Sequence, residues 1–471
     1  MSFFFRASLP AAVLLLGLLG GRAHAGEGET DGSEEASKKL KAGDRDPAFL
    51  LRVNKAVRKG ADFLLAQQAA DGNLECSSGG LNGVPYDKGF PGGTTALCLL
   101  ALLKSGLTRH DERIQKGFTW LRQNQLAGDK FHPGMWGTNY VAAVTIMALE
   151  ALYEPPKSLR KPEELTAARP AKRLRMSPKD SQWMQRLVRF IEVCMVRSDQ
   201  EQFVQGTTGM SVGGPDSWNY PGGVPDGGPR SGTIQAKNRW PDHSNTQYAL
   251  LGLKAAQRCG IRFLPETYKA MANVVEHFVR FQEEKDPSRK KVPRMKMIED
   301  REHGYVSYKT VSRILDEPRG WKYIGVGRDQ LAGSEWQKTV TGSMTTAGTA
   351  CLLISSSIAK RRGALNGRLL AAAREAVWDG IAWLNAHFTV ETNPGAGGGR
   401  WHYYYLYGME RAAVLAGVRN IGTHDWYREG AGFLLSRQSA DGSWNRDAVP
   451  SCFALLFLTR ATVPMGGVIT R

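Results

Sequence analysis

The feature that most constrains this chain is a pattern it repeats. From Arg428 to Trp444 the sequence reads Arg-Glu-Gly-Ala-Gly-Phe-Leu-Leu-Ser-Arg-Gln-Ser-Ala-Asp-Gly-Ser-Trp. Phe433, Leu434 and Arg437 continue a helix whose apolar face includes Leu435. Gln438 stands where that helix ends and backbone groups need partners, and Asp441-Gly442 turns the chain. Trp444 follows at a distance from which its indole folds back over the turn. A second copy, Arg58 to Leu74, matches nearly residue for residue, with Gln68 and Gly72 in register and Leu74 in place of the tryptophan. Copies near both ends of the chain imply a repetitive middle.

Aligning the aromatic or apolar position before each helix end picks out Phe63, Trp120, Phe190, Phe278, Trp383 and Phe433, spaced 57, 70, 88, 105 and 50 residues apart. A unit of about fifty residues carrying insertions of varying length accounts for this. Each amphipathic helix is followed by a more apolar one rich in Ala and Leu, near 94–104, 141–153, 246–258, 345–357, 403–417 and 451–462. Six such pairs imply an all-α fold in which apolar inner helices are walled by amphipathic partners.

The pattern resembles the QW repeat of squalene and other triterpene cyclases, whose superfamily includes the protein prenyltransferase β subunits. The resemblance implies an (α/α)6 toroid, a closed double ring of helices around a central cavity, with an open solenoid as the alternative. On this reading residues 1–25 are a signal peptide, 26–47 a flexible charged leader, and 48–465 a single toroid domain of six repeats. Loop insertions fall near 155–180, 206–242 and 284–340.

The signal-peptide reading rests on Arg6, an apolar run over 11–19 and Ala23-His24-Ala25 before Gly26. No later stretch reaches the ~20 apolar residues of a spanning helix, so an exported protein, periplasmic or extracellular, without a transmembrane segment is expected. Its six cysteines are too sparse for a disulfide-built scaffold. Cys98, Cys351 and Cys452 sit in apolar helical runs as small buried thiols, and Cys194 with Cys259 is the candidate pair. No CxxC or HExxH spacing occurs, so no metal and no cofactor is implied. The net charge of +17 is concentrated in Pro-punctuated stretches such as 157–179 and 289–296, which read as solvated loops rather than a nucleic-acid surface.

The chemistry is read at the starts of the apolar helices. In cyclases of the squalene-hopene type an Asp-x-Asp-Asp-Thr-Ala stretch supplies the acid that protonates an alkene. The segment Asp242-His243-Ser244-Asn245-Thr246-Gln247 resembles it with the acid removed: Asp242 and Thr246 match, while Ser244 stands where the proton-donating Asp belongs and Asn245 replaces its neighbour. A serine hydroxyl cannot protonate an isolated alkene. Asp242 itself reads either as a helix cap or as a displaced acid or base. The prenyltransferase zinc site fares no better, because neither Cys351 nor Cys452 follows an Asp at the required spacing.

The fifth unit holds the densest aromatic run, Trp401-His402-Tyr403-Tyr404-Tyr405-Leu406-Tyr407, followed by Glu410 and Arg411. Tyr403, Tyr407 and Glu410 share one helical face, and Tyr404 and Arg411 lie close on the next. Trp218, Tyr220, Trp240, Trp321, Tyr323 and Trp336 add aromatic surface from the loops. The candidate ligand-binding set is therefore Trp218, Tyr220, Trp240, His243, Asn245, Gln247, Trp321, Tyr323, Trp401, His402, Tyr403, Tyr404, Tyr407 and Arg411. Asp242 and Glu410 are the candidate catalytic groups.

Three functions remain open. The first is a toroid that binds an apolar or extended ligand, lipid or isoprenoid-like, or an envelope protein or glycan, without alkene-protonating activity. The second is a cyclase-like isomerase with a relocated acid. The third, by fold analogy, is a polysaccharide lyase or hydrolase, which needs facing carboxylates.

Overall fold

The computed structural model describes residues 46–81, 84–124, 138–155, 174–196, 216–218, 221–223, 234–236, 242–300, 305–324, 335–397 and 399–462. Among them stand twelve long helices: α1 (Pro47–Ala66), α2 (Gly93–Lys104), α3 (Glu112–Asn124), α4 (Thr138–Tyr153), α5 (Pro178–Val193), α6 (His243–Arg258), α7 (Pro265–Arg280), α8 (Gly342–Arg361), α9 (Gly367–Ala386), α10 (His402–Ala416), α11 (Trp426–Arg437) and α12 (Ala448–Leu458). Among the described residues strand is limited to three very short ladders and one antiparallel hairpin, Val292–Asp300 against Tyr305–Asp316. The chain is all-α in character. The 284–340 insertion, expected as loop, is the exception, since its core is this hairpin. The signal peptide, the leader up to residue 45, Tyr220 and Trp240 lie outside the described residues, while the last two leader positions are ordered, Asp46 as the cap and Pro47 as the first residue of α1.

The even-numbered helices are the expected apolar ones, and each begins one to three residues before its apolar run. The early starts at α6, α8 and α12 follow from capping. Asp242, Thr341 and Asp447 each accept a backbone N–H of the first turn, so the polar residues behind them become helical. Every position of α8 from Gly342 to Ala359 is buried. By contrast α1 buries Phe49, Val53, Ala56, Val57, Gly60, Ala61 and Leu64, a stripe at helical spacing, and leaves its other face to solvent.

Packing follows this division. Helix α2 packs on α4, α4 on α6, α6 on α8, α8 on α10, α10 on α12, and α12 on α2, while α1 meets α11 and α12.

The repeated glutamine explains how neighbouring units are joined. Gln438 Nε2 donates to Gly442 O and to Ala56 O on α1, both at 2.9 Å. Gln68 donates to Gly72 O at 3.1 Å and to Arg113 O on α3 at 3.0 Å. Gln282 does the same with Arg319 O and with Ala376 O on α9, both at 2.9 Å. In each case the receiving helix carries a glycine four residues further on: Gly60, Gly117 and Gly380. A Cβ on Gly60 or Gly380 would lie 2.8 Å from the ring of Trp444 or Trp321 respectively. Gly72 and Gly442 adopt φ of 97° and 91°, where a side chain would also strike the backbone of Lys116 or Lys59.

The tryptophans complete the clamp. Trp444, Trp321 and Trp218 donate their indole N–H to Leu434 O, Phe278 O and Ile191 O, each at 2.8 Å, and all three are fully buried. This corrects the expectation for Trp218 and Trp321. They are not aromatic surface but copies of Trp444, placed by loops that return to the core. The third clamp is hidden in the sequence because the hairpin insertion separates Gln282 from Trp321.

Candidate functional site

Tyrosines from α4 and α10 converge on Ser244 in the first turn of α6. Tyr140 on α4 donates its phenol to Ser244 Oγ at 2.8 Å, and Ser244 Oγ lies 3.0 Å from the phenol of Tyr404 on α10. Tyr404 in turn donates to Gln247 Oε1 at 2.8 Å, which fixes the order of donors: Tyr140 to Ser244, Ser244 to Tyr404, Tyr404 to Gln247. Burial holds the Tyr404 phenol well above its usual range, so it stays a donor.

A run of rings surrounds this relay. Phe90 meets Tyr140 at 5.8 Å between centroids, Tyr140 meets Tyr248 at 5.0 Å, Tyr248 meets Tyr404 at 6.2 Å, and Tyr404 meets Phe453 at 5.9 Å. These side chains come from the segment before α2 and from α4, α6, α10 and α12. Phe90, Tyr140, Tyr404 and Phe453 are half-buried rather than fully enclosed.

Beside the relay lies a buried guanidinium. Arg411 is fully buried, donates to Gln247 Oε1 at 3.3 Å, and stacks over Tyr407 at 4.2 Å, Tyr248 at 5.3 Å and Tyr404 at 5.8 Å. Its Nε and Nη1 meet no hydrogen-bond partner among the described residues. The three ring faces offset part of the desolvation of the cation.

Of the predicted site residues, the structure thus brings Gln247, Tyr404, Tyr407 and Arg411 together with Ser244. It sends others elsewhere. Asp242 is buried and caps α6, accepting from Asn245 N at 2.8 Å and from the Tyr323 phenol at 2.7 Å. Burial pushes its carboxyl up to about 6 in spite of these donors. His243 turns toward α7, with Nδ1 2.7 Å from Lys322 O and Nε2 2.9 Å from His277 Nε2. Donation from Nδ1 to the carbonyl makes His243 Nε2 the acceptor of the His277 N–H, so the His243 ring is neutral. Burial brings His243 down to about 4 and holds His277 well below its ordinary range.

Asn245 is enclosed against Asn139 of α4. His402 bonds Val390 O at 2.8 Å and packs on Phe433, Tyr403 reaches Asn445, and Trp401 is the left-handed residue before α10, with φ of 54°. Glu410 does not face Asp242. It accepts from Thr462 N at 3.0 Å and Thr462 Oγ1 at 2.6 Å, beyond the C-terminal end of α12, whereas Asp242 lies at the N-terminal end of α6. The shared face expected for Tyr403, Tyr407 and Glu410 therefore divides among three different surroundings. Trp336 falls in a short helix, Glu335–Lys338.

Sequence reasoning missed Phe90, Tyr140, Tyr248, Phe453 and His277. The available signal was positional: Tyr140 and Ser244 both fall in the first turn of an apolar helix. No protein-family model, curated protein or solved structure matches the chain.

Proposed function

We propose that this chain is an exported toroid of the triterpene cyclase and prenyltransferase kind that binds an elongated apolar ligand against its run of aromatic rings and does not protonate an alkene. Two observations support the toroid: the series of apolar helices returns from α12 to α2, and the Gln438 and Trp444 clamp joins the last unit to α1. The binding reading is carried by Ser244. Where the resemblance places a strong acid, this chain has a hydroxyl held between two phenols, in a relay that ends on a neutral amide.

Half-buried rings suit an apolar chain, and the relay with Arg411 beside it suits a polar end that accepts hydrogen bonds. A lipid or isoprenoid-like molecule has this form. The relocated-acid reading is not adopted, because burial weakens Asp242 as an acid when alkene protonation demands a stronger one. The lyase or hydrolase reading lacks its pair of facing carboxylates in Asp242 and Glu410.

The test is mass spectrometry of organic extracts of the protein purified without detergent from its own source. A retained lipid that is lost in Tyr404→Ala and Phe453→Ala, both folded by circular dichroism, is the expected result. Absence of any retained lipid, together with no saturable binding of an added isoprenoid alcohol, would overturn the binding reading. Turnover of a linear isoprenoid would overturn the noncatalytic one.

A further inference from the structure

Three thiols meet where the two ends of the chain are joined. Cys98 on α2 and Cys452 on α12 are 354 residues apart in sequence, yet their sulfurs lie 3.6 Å apart, and both are fully buried. Cys76, in the segment between the first clamp and α2, is half-buried. Its thiol donates to Leu74 O at 3.3 Å and lies near enough to Cys98 for that thiol to raise it well above its ordinary range. Cys194 and Cys259, the pair suggested by the sequence, are free thiols at the ends of α5 and α6.

We propose that Cys98 and Cys452 form a disulfide that ties the first apolar helix to the last, and that Cys76 is the thiol through which it is made. The location favours a covalent link. Other neighbouring apolar helices are tethered through the intervening chain, whereas α12 and α2 are held through non-covalent contacts: packing, the clamp between α11 and α1, and Asp447 at the start of α12, which accepts from Ser77 Oγ, Ser78 Oγ and Gly79 N. A bridge closing so long a loop strongly restricts the unfolded chain.

The exchange balances. The Cys76 thiolate attacks one sulfur of an external disulfide, whose S–S bond breaks and releases one thiolate. Cys98 then attacks Cys76 Sγ in the mixed disulfide and expels the second thiolate. Finally Cys452 attacks Cys98 Sγ and expels Cys76, which recovers its proton. Cys98 and Cys452 together lose two electrons and two protons, and the external disulfide gains them. The hydrogen bond to Cys452, and then burial, hold the Cys98 thiol well above its ordinary range, and Cys98 and burial raise Cys76 as well, so the exchange is slow; Cys76 is the entry point because it alone of the three is partly accessible.

The experiment incubates the purified full chain with oxidised glutathione and then alkylates it in denaturant for peptide mapping without reduction. The expected product is a peptide pair linked through Cys98 and Cys452, with Cys76 alkylated and Tm raised on the order of 5 °C over the reduced protein. Cys76→Ser is expected to slow formation at least tenfold without changing the product. Cys98→Ala and Cys452→Ala should each remove the oxidation-dependent rise in Tm. Alkylation of both Cys98 and Cys452 after oxidation would overturn the proposal, as would a stable end product in which Cys76 carries glutathione or is bridged to Cys98. If one alanine variant does not fold, the other and the peptide map still decide.

Discussion

Ser244 Oγ and the phenol oxygen of Tyr404 lie 3.0 Å apart, joining α6 to α10 across the interior with α8 between them in the series. The contact is part of a one-way run of neutral donors, in which Tyr404 links Ser244 to Gln247.

Tyr404→Phe is expected to destabilise the protein by about 1–3 kcal/mol, because it deprives Gln247 of a donor and Ser244 of an acceptor in a buried site. Urea unfolding measures this. The double variant with Ser244→Ala should cost less than the two single changes added together, as members of one network do. Strict additivity would mean that the relay is not a unit.

The clamps predict a graded series. Gln282→Ala leaves the carbonyls of Arg319 and Ala376 without their donor and should cost about 2–4 kcal/mol, with Gln438→Ala similar through Gly442 and Ala56. Gly380→Ala drives a methyl into Trp321 and should cost about 1–3 kcal/mol. A Gly380→Ala variant with an unchanged unfolding midpoint would contradict this packing.

Asp242 predicts an unusual pH dependence. Its folded carboxyl is raised from 3.8 to about 6, so its contribution is most favourable below pH 3.8 and is lost as pH rises through 6. Asp242→Asn keeps an acceptor for Asn245 N and a partner for Tyr323. Relative to the parent, it should gain about 3 kcal/mol between pH 4 and 7, by the worth of the shift. Urea midpoints across that range check it, and a constant difference between the two proteins would refute it.

His243 and His277 act with the opposite sign. Both are pushed below 6.5, so the stability that depends on their neutral form is complete above pH 6.5 and lost as pH falls toward 4. His277→Phe removes one of these groups and should make acid destabilisation shallower, whereas Asp242→Asn, which removes the compensating group, should make it steeper. Unfolding followed from pH 7 to 4 distinguishes the two slopes.

The helical pairs and the first and last clamps were legible because periodicity and turn chemistry are local. Phe63, Trp120, Phe190, Phe278, Trp383 and Phe433 each fall on an odd-numbered helix, and the apolar runs behind them are the even-numbered ones. Asp242 as a cap was legible for the same reason. Trp218 and Trp321 were not: each follows a long insertion, so nothing nearby announces that its indole returns to the carbonyls of α5 and α7.

By itself, then, the sequence determined the all-α character, the alternation of amphipathic and apolar helices, and the glutamine that stitches one unit to the next. These are consequences of residue spacing within about fifty positions. Tertiary structure alone decided that Tyr140, Ser244, Tyr404 and Gln247 form one relay, that Glu410 and His243 turn away from it, and that Cys98 meets Cys452. Those partners lie on different helices at separations up to 354 residues, and what brings them together is the packing of six apolar helices, to which no local pattern refers.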